Sequence, residues 1–391
     1  MRTTHSSRGF TIAELLIAMV LGLFLTAVVV TTYLSSKTSF RATESVARAQ
    51  ENTRFAVGFL VRDIRMAGYS VCTEGVSQRN FLDTSSAAYT PSIANAVFGW
   101  EFAGTDVSDT YALDYAAIGS LNFTDAEVAT ARSSNAAAAA DYDGALPTVL
   151  ADFEPLKGSD IIAVSISAPV TFAVDTLFDR RVTTLNIIDS DGNAVASDIE
   201  NGQVLKVGDC AALDIFQNEA SKTSTFLSAG TGGTPAILPG NKINASFRWQ
   251  KSWGSDASVY TVETRVFYVG TGANGSPSLF LFTSDCGLGT GCPGAASVEL
   301  VEGVESLQIL YGEDTDSDRV VNRFVSADSV ADFADVTTIK LGLLMRSPNT
   351  GKETEDTDSY DLISNITINP PDNAVLRFVN NTTVKLNNRG L

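Results

Sequence analysis

The stretch Arg8-Gly9-Phe10-Thr11-Ile12-Ala13-Glu14, followed by an apolar run ending near Leu34, decides how the rest of the chain is read. From Phe10 to Leu34 there are 25 residues, no proline and one charge, Glu14. A helix rises about 1.5 Å per residue, so the run would span roughly 37 Å, enough to cross a hydrocarbon core of about 30 Å with some tilt. Three readings compete. A secretory signal peptide has a shorter apolar core with a small-residue cleavage site behind it. Here Thr31-Thr32-Tyr33-Leu34 is a poor cleavage site, and helical sequence continues beyond it. A plain membrane anchor fits the length but leaves Glu14 unexplained. A carboxylate in a spanning helix costs roughly 2.5–3.5 kcal/mol on insertion scales and calls for a partner.

The third reading covers the whole stretch. A short basic leader ending in Gly9, then Phe10, then Glu14 and the apolar run, resembles the type III signal of type IV prepilins. The resemblance implies that a prepilin peptidase cuts between Gly9 and Phe10 on the cytoplasmic side and methylates the new amine of Phe10, leaving the helix in place. Glu14 then has a physical role: its carboxylate can pair with the terminal amine of a neighbouring subunit inside an apolar bundle. A buried carboxylate left unpaired is strongly unfavourable, so the pairing would set the axial register.

Composition narrows the rest. The formal charge of −18 becomes −20 once the leader arginines Arg2 and Arg8 are removed. So acidic a chain argues against nucleic acid and anionic headgroups as partners of the soluble part. The single histidine, His5, lies in the leader, so the mature chain has no histidine for general acid–base catalysis, for activating a nucleophile or for binding a transition metal. An enzyme is not expected. Of the four cysteines, Cys286 and Cys292 enclose a glycine-rich loop that a disulfide could close. Three pairings are possible, and the favoured one is Cys286–Cys292 with Cys72–Cys210. A zinc site would need all four thiolates, and paired short spacings are missing.

Apolar residues continue at helical spacing from Phe40 to Ala67, predicting a single helix from Phe10 to Ala67 that stops at Gly68. Residues 73–157 read as loop-rich, with a loop at Ala136–Ala140. From Ser159 onward strands are expected, at 161–167, 182–188, 203–207, 211–216, 243–250, 259–269, 278–282, 303–311, 337–345, 374–379 and 382–386. The fold class is α+β: a long N-terminal transmembrane and shaft helix, then a large antiparallel β-rich, pilin-like head. The expected divisions are a leader over 1–9, a membrane and shaft segment over 10–34, a helix continuation packed on the head over 35–68, and the head over 69–391.

Gln50-Glu51-Asn52-Thr53-Arg54-Phe55-Ala56 and Arg62-Asp63-Ile64-Arg65-Met66-Ala67-Gly68 resemble the PilW family of type IV pilus minor pilins. Residues 209–216 around Cys210, 301–312 and 340–347 resemble later parts of the same family. The resemblance implies partners: other major and minor pilins met through the N-terminal helix, the prepilin peptidase, and a tip adhesin. It implies an inner-membrane stage followed by a place in the pilus fibre, at its tip. Two alternatives share much of this sequence: a pseudopilin of type II secretion, and a membrane-tethered module whose head binds a ligand on its own. Charge does not fix the topology, since Lys37 and Arg41 rival Arg2 and Arg8.

One constellation carries possible metal chemistry. Asp314, Asp316 and Asp318 alternate as in the first half of a calcium loop. Arg319 stands where such a loop has glycine and Val325 where it has glutamate, so a solvated acidic turn is the plainer reading. No other cofactor is expected. Trp249, Trp253 and Tyr260 could line a binding surface, although aromatics on a sheet more often pack. No glycine-rich phosphate loop opens a helix, so nucleotide binding is unsupported.

Overall fold

The computed structural model describes the chain except residues 1–10, 70–75, 114–132, 134, 145, 177–178, 231–236, 244–246, 290, 351–354, 373 and 389–391. Gly9, Phe10 and Cys72 therefore lie outside the described residues. The helix α1 runs unbroken from Ile12 to Met66 over 55 residues, about 82 Å at 1.5 Å per residue. It ends where the sequence expects it to. Ala67 is the C-cap, and Gly68 turns the chain with φ +73° while its N–H donates to Ser165 O at 3.0 Å. A Cβ on Gly68 would lie 2.5 Å from that of Ala96, so both space and backbone require glycine.

The head is built from sheets. The largest has eight strands, with Ser77–Asn80, Ala212–Gln217, Val204–Gly208, Ser258–Thr271, Pro277–Ser284 and Ala296–Glu302 in that order. Ile161–Pro169 also pairs with Ser258–Thr271, and Val97–Trp100 pairs with Ile161–Pro169. Every pairing there is antiparallel except that of Ser77–Asn80 with Ala212–Gln217. A second sheet orders Arg323–Val325, Val304–Glu313, Val336–Thr350 and Val375–Lys385, all antiparallel. Two three-stranded sheets complete the described head.

The second half of α1 lies against Val336–Thr350 and Val375–Lys385. Ala49, Ala56, Leu60 and Ile64 face the head at helical spacing, and all are fully buried. Ala56, Leu60 and Ile64 share a cluster with Val304, Leu307, Ile309, Leu341 and Leu343. The alanines let helix and sheet approach closely, and Leu60 and Ile64 fill the space between. A second cluster gathers Phe81, Phe216, Phe247, Trp249 and Trp253. Both tryptophans are buried, so they pack and do not line a surface.

Three strand expectations change. Residues 247–250 form no strand: the Trp249 N–H donates to Arg180 O at 3.0 Å and the Gln250 N–H to the Asp214 carboxylate at 2.9 Å, in place of ladder partners. Residues 374–379 and 382–386 are not two strands but one, Val375–Lys385, since Asn380 and Asn381 pair with Leu343 and Gly342 and do not turn. The loop-rich 73–157 region holds Val97–Trp100, a strand crossed closely by Tyr311. A Cβ on Gly99 would fall 1.9 Å from the Tyr311 hydroxyl.

Candidate assembly helix and its junction with the head

Thr11 caps α1. Its hydroxyl accepts from the Glu14 N–H at 3.2 Å, while Glu14 Oε2 accepts from the Thr11 N–H at 2.9 Å and from its hydroxyl at 3.0 Å. This reciprocal capping box gives the Glu14 carboxylate a partner within its own chain, at the helix end where negative charge is favoured. The spacing Thr11-x-x-Glu14 is its sequence signal, and reading Glu14 only as a charge inside an apolar run misses it.

Beyond the cap, the helix is apolar on all sides. Leu15, Met19, Leu23, Phe24 and Tyr33 are each more than half exposed. By length and composition α1 can cross a membrane, and none of its most apolar window is buried by the rest of the chain. Helices apolar all round belong in lipid or among other helices, so this half requires a medium that its own chain does not supply.

The other half is fastened by polar contacts as well as packing. Asp63, 1% exposed, accepts from Arg265 Nη1 at 2.9 Å and from Arg62 Nε at 2.9 Å. Arg265 also pairs with Glu263. Burial alone would lower the Arg265 pKa, and the Glu263 and Asp63 carboxylates outweigh it and raise the value. Asn52 Nδ2 donates to Glu302 O at 3.0 Å, and Asn388 Nδ2 donates to Met66 O and Ala67 O. The junction thus joins residues more than 200 positions apart in sequence.

The other expected site residues fall as follows. Cys286 and Cys292 are disulfide-bonded, with Cα atoms 5.5 Å apart. Cys210 is disulfide-bonded too, while its expected partner Cys72 lies outside the described residues. Ligand oxygens of Asp314, Asp316 and Asp318 lie within 4.8 Å of one another, so these three residues could hold a hard cation such as calcium. Asp314 already accepts from the N–H groups of Asp318 at 3.2 Å and Arg319 at 2.7 Å. Burial pushes its pKa up, and those donors more than compensate and hold it low.

Two polar clusters escape sequence reading. Glu101 and Asp160, each 1% exposed, lie in the head near the Tyr311 hydroxyl. Asp160 accepts from the N–H groups of Phe102 at 3.1 Å and Ile309 at 2.7 Å, and Glu101 accepts from the Thr105 hydroxyl at 3.4 Å. Burial, and then the negative charge of Asp160, drive the Glu101 pKa far above the carboxylate range. Burial drives Asp160 up as well. In the second cluster Arg377 donates to Glu305 at 2.6 Å and to Asp356 at 3.0 Å, all three residues being buried. It pins the Val375–Lys385 strand to its sheet. In both clusters the partners are far apart in sequence, so no local motif announces them.

Residues 4–30 match the prokaryotic N-terminal methylation motif, and residues 266–388 match the family described as Type IV Pilus-assembly protein W. Searches of curated proteins and of solved structures found no match. The second family match contains the quoted stretches 301–312 and 340–347, whereas 50–68 and 209–216 lie outside it. With one long apolar N-terminal helix before a β-rich head, the chain is a pilin-like protein related to type IV pili.

Proposed function

We propose that this chain is a minor pilin, cut between Gly9 and Phe10 and methylated on Phe10, that assembles non-covalently with other pilins through residues 10–34. Before assembly, that segment holds it in the inner membrane with the head outside. In the fibre, it packs among equivalent helices, and Glu14 meets the terminal amine of a neighbour. The head primes or caps the tip, where a bulky β-domain need not repeat along a tightly packed shaft, and its partners there include an adhesin. We assign no reaction to the chain.

One observation carries the reading. A single helix is locked to its head at one end and left apolar and uncovered at the other, and that uncovered end lies within the match to the methylation motif. The mass of the N-terminal peptide of membrane-extracted protein tests it. A peptide beginning at methylated Phe10 is expected, and an intact Met1 in cells with active prepilin peptidase overturns the proposal. The tip position is tested separately on sheared pili, where an even distribution at high copy number would exclude it.

A further inference from the structure

A groove of about 890 Å³ runs between the outer flank of α1 and the Val375–Lys385 strand. Val57, Val61, Phe378 and Val379 give it an apolar floor, and Arg54 and Arg65 stand on its helical side. Arg62 also lines it and is held by Asp63. No carboxylate is among the lining residues. Among the described residues, neither Arg54 nor Arg65 forms an ion pair. In a chain of net charge −18, this is a local concentration of positive charge. Gly58 leaves the flank open, since a Cβ there would meet nothing within 4 Å.

Among the described residues, the strand beside the groove is the last in its sheet, and over Phe378–Val384 one side of its backbone has no partner strand. Natural edges are usually guarded by charges, prolines or bulges. Residues 378–384, Phe-Val-Asn-Asn-Thr-Thr-Val, contain no charge and no proline. The Arg377 clamp holds the strand in place.

We propose that this groove receives an extended, acidic segment of a different polypeptide, which adds to the Val375–Lys385 edge as a further strand. Main-chain hydrogen bonds to the edge supply affinity, alternate apolar side chains rest on Val57, Val61 and Val379, and the intervening carboxylates meet the arginines. Arg54 and Arg65 are about 16 Å apart along the helix, the reach of about five residues of extended chain. That spacing favours a strand over a small ligand, whose polar contacts would converge on one point. A second copy docking through the same groove would set one arginine row against another. The inference rests on the groove itself and not on the pilin assignment.

The test uses the full chain in detergent and a fluorescent peptide alternating valine and glutamate, about as long as the 11-residue strand. Binding is expected, weakened about tenfold or more when lysine replaces glutamate, and likewise by the Arg54→Glu/Arg65→Glu double variant. A valine–glutamate peptide N-methylated on every residue, which has no backbone N–H to offer the edge, should also lose about tenfold or more. The double variant must keep the parent melting temperature; if it does not, Arg54→Gln/Arg65→Gln replaces it with the same expectation. Absence of binding up to about 1 mM peptide would overturn the proposal. So would equal binding of the lysine peptide, or binding of a helical alanine–glutamate peptide as tightly. Self-association of the chain abolished by the double variant would give the groove to a second copy, and would overturn it too.

Discussion

Residues 12–44 and 45–66 belong to one uninterrupted helix, yet no side chain of the first group is buried by its own chain, while six of the second are. The backbone is the same throughout, so the difference lies in the distribution of side chains. From Ile12 to Leu34 apolar residues occupy every face. In the second part the fully buried apolar side chains form one stripe, Ala49, Ala56, Leu60 and Ile64, with arginines among the residues outside it. A stripe can be covered by one sheet. An all-round apolar surface needs partners on every side, which only lipid or a bundle provides. One helix therefore carries two separate instructions about its surroundings, and each can be disturbed without touching the other.

The sharpest contrast comes from one substitution made in both halves. Leu60→Ala removes a fully buried side chain and should destabilise the head by about 2–5 kcal/mol in denaturant unfolding of the detergent-solubilised chain. Leu21→Ala, at a position 56% exposed, should shift the same midpoint by less than about 0.5 kcal/mol. Equal effects would break the comparison. Next in size is Asp63→Asn, which leaves Arg265 with Glu263 alone. Breaking a buried pair costs about 3–5 kcal/mol, and the 20% exposure of the Arg265 side chain reduces this to about 2 kcal/mol. A loss that high salt erased would show the pair to be more solvated than its geometry indicates.

Acidity should act on the head and leave the uncovered half alone. Glu101 and Asp160 hold protons in the folded chain at a pH where the unfolded chain releases them. The folded state therefore binds more protons, and this pair makes stability fall as pH rises from the ordinary carboxylate range, about 4, through neutrality. Glu101→Gln should flatten that slope. It should match the parent near pH 4 and exceed it at pH 8 by roughly 3 °C in melting temperature. A variant less stable than the parent at pH 8 would mean that Glu101 is ionised and paired. The smallest effect is expected at the cap. Thr11→Val should cost about 1 kcal/mol locally, read as faster amide exchange in residues 12–15, with the unfolding midpoint of the head unchanged.

The helix was legible because its signals are local. The apolar run, the missing proline, the stripe and the Gly68 stop can each be read within a few residues of one another. The longer strands, such as Ser258–Thr271 and Val304–Glu313, were legible for the same reason. Short strands were not. Ser77–Asn80 is polar, and only its parallel pairing with Ala212–Gln217 makes it a strand. Residues 243–250 carry strand-like composition, but the Trp249 and Gln250 N–H groups go to Arg180 O and the Asp214 carboxylate, partners distant in sequence. Of the site, the methylation motif and Glu14 were visible in sequence. The Asp63–Arg265 pair was not, since its partner is 202 residues away.

The cap on α1 has a consequence for joining a fibre. Glu14 Oε2 takes both Thr11 donors, and among the described residues Oε1 accepts no hydrogen bond. One oxygen thus keeps the first turn wound while the other stays unclaimed. In the register role proposed for Glu14, an incoming amine can engage Oε1 without displacing Thr11. It would then meet an end whose conformational freedom was lost when the helix formed, so the ordering penalty of recognition falls on folding and not on association.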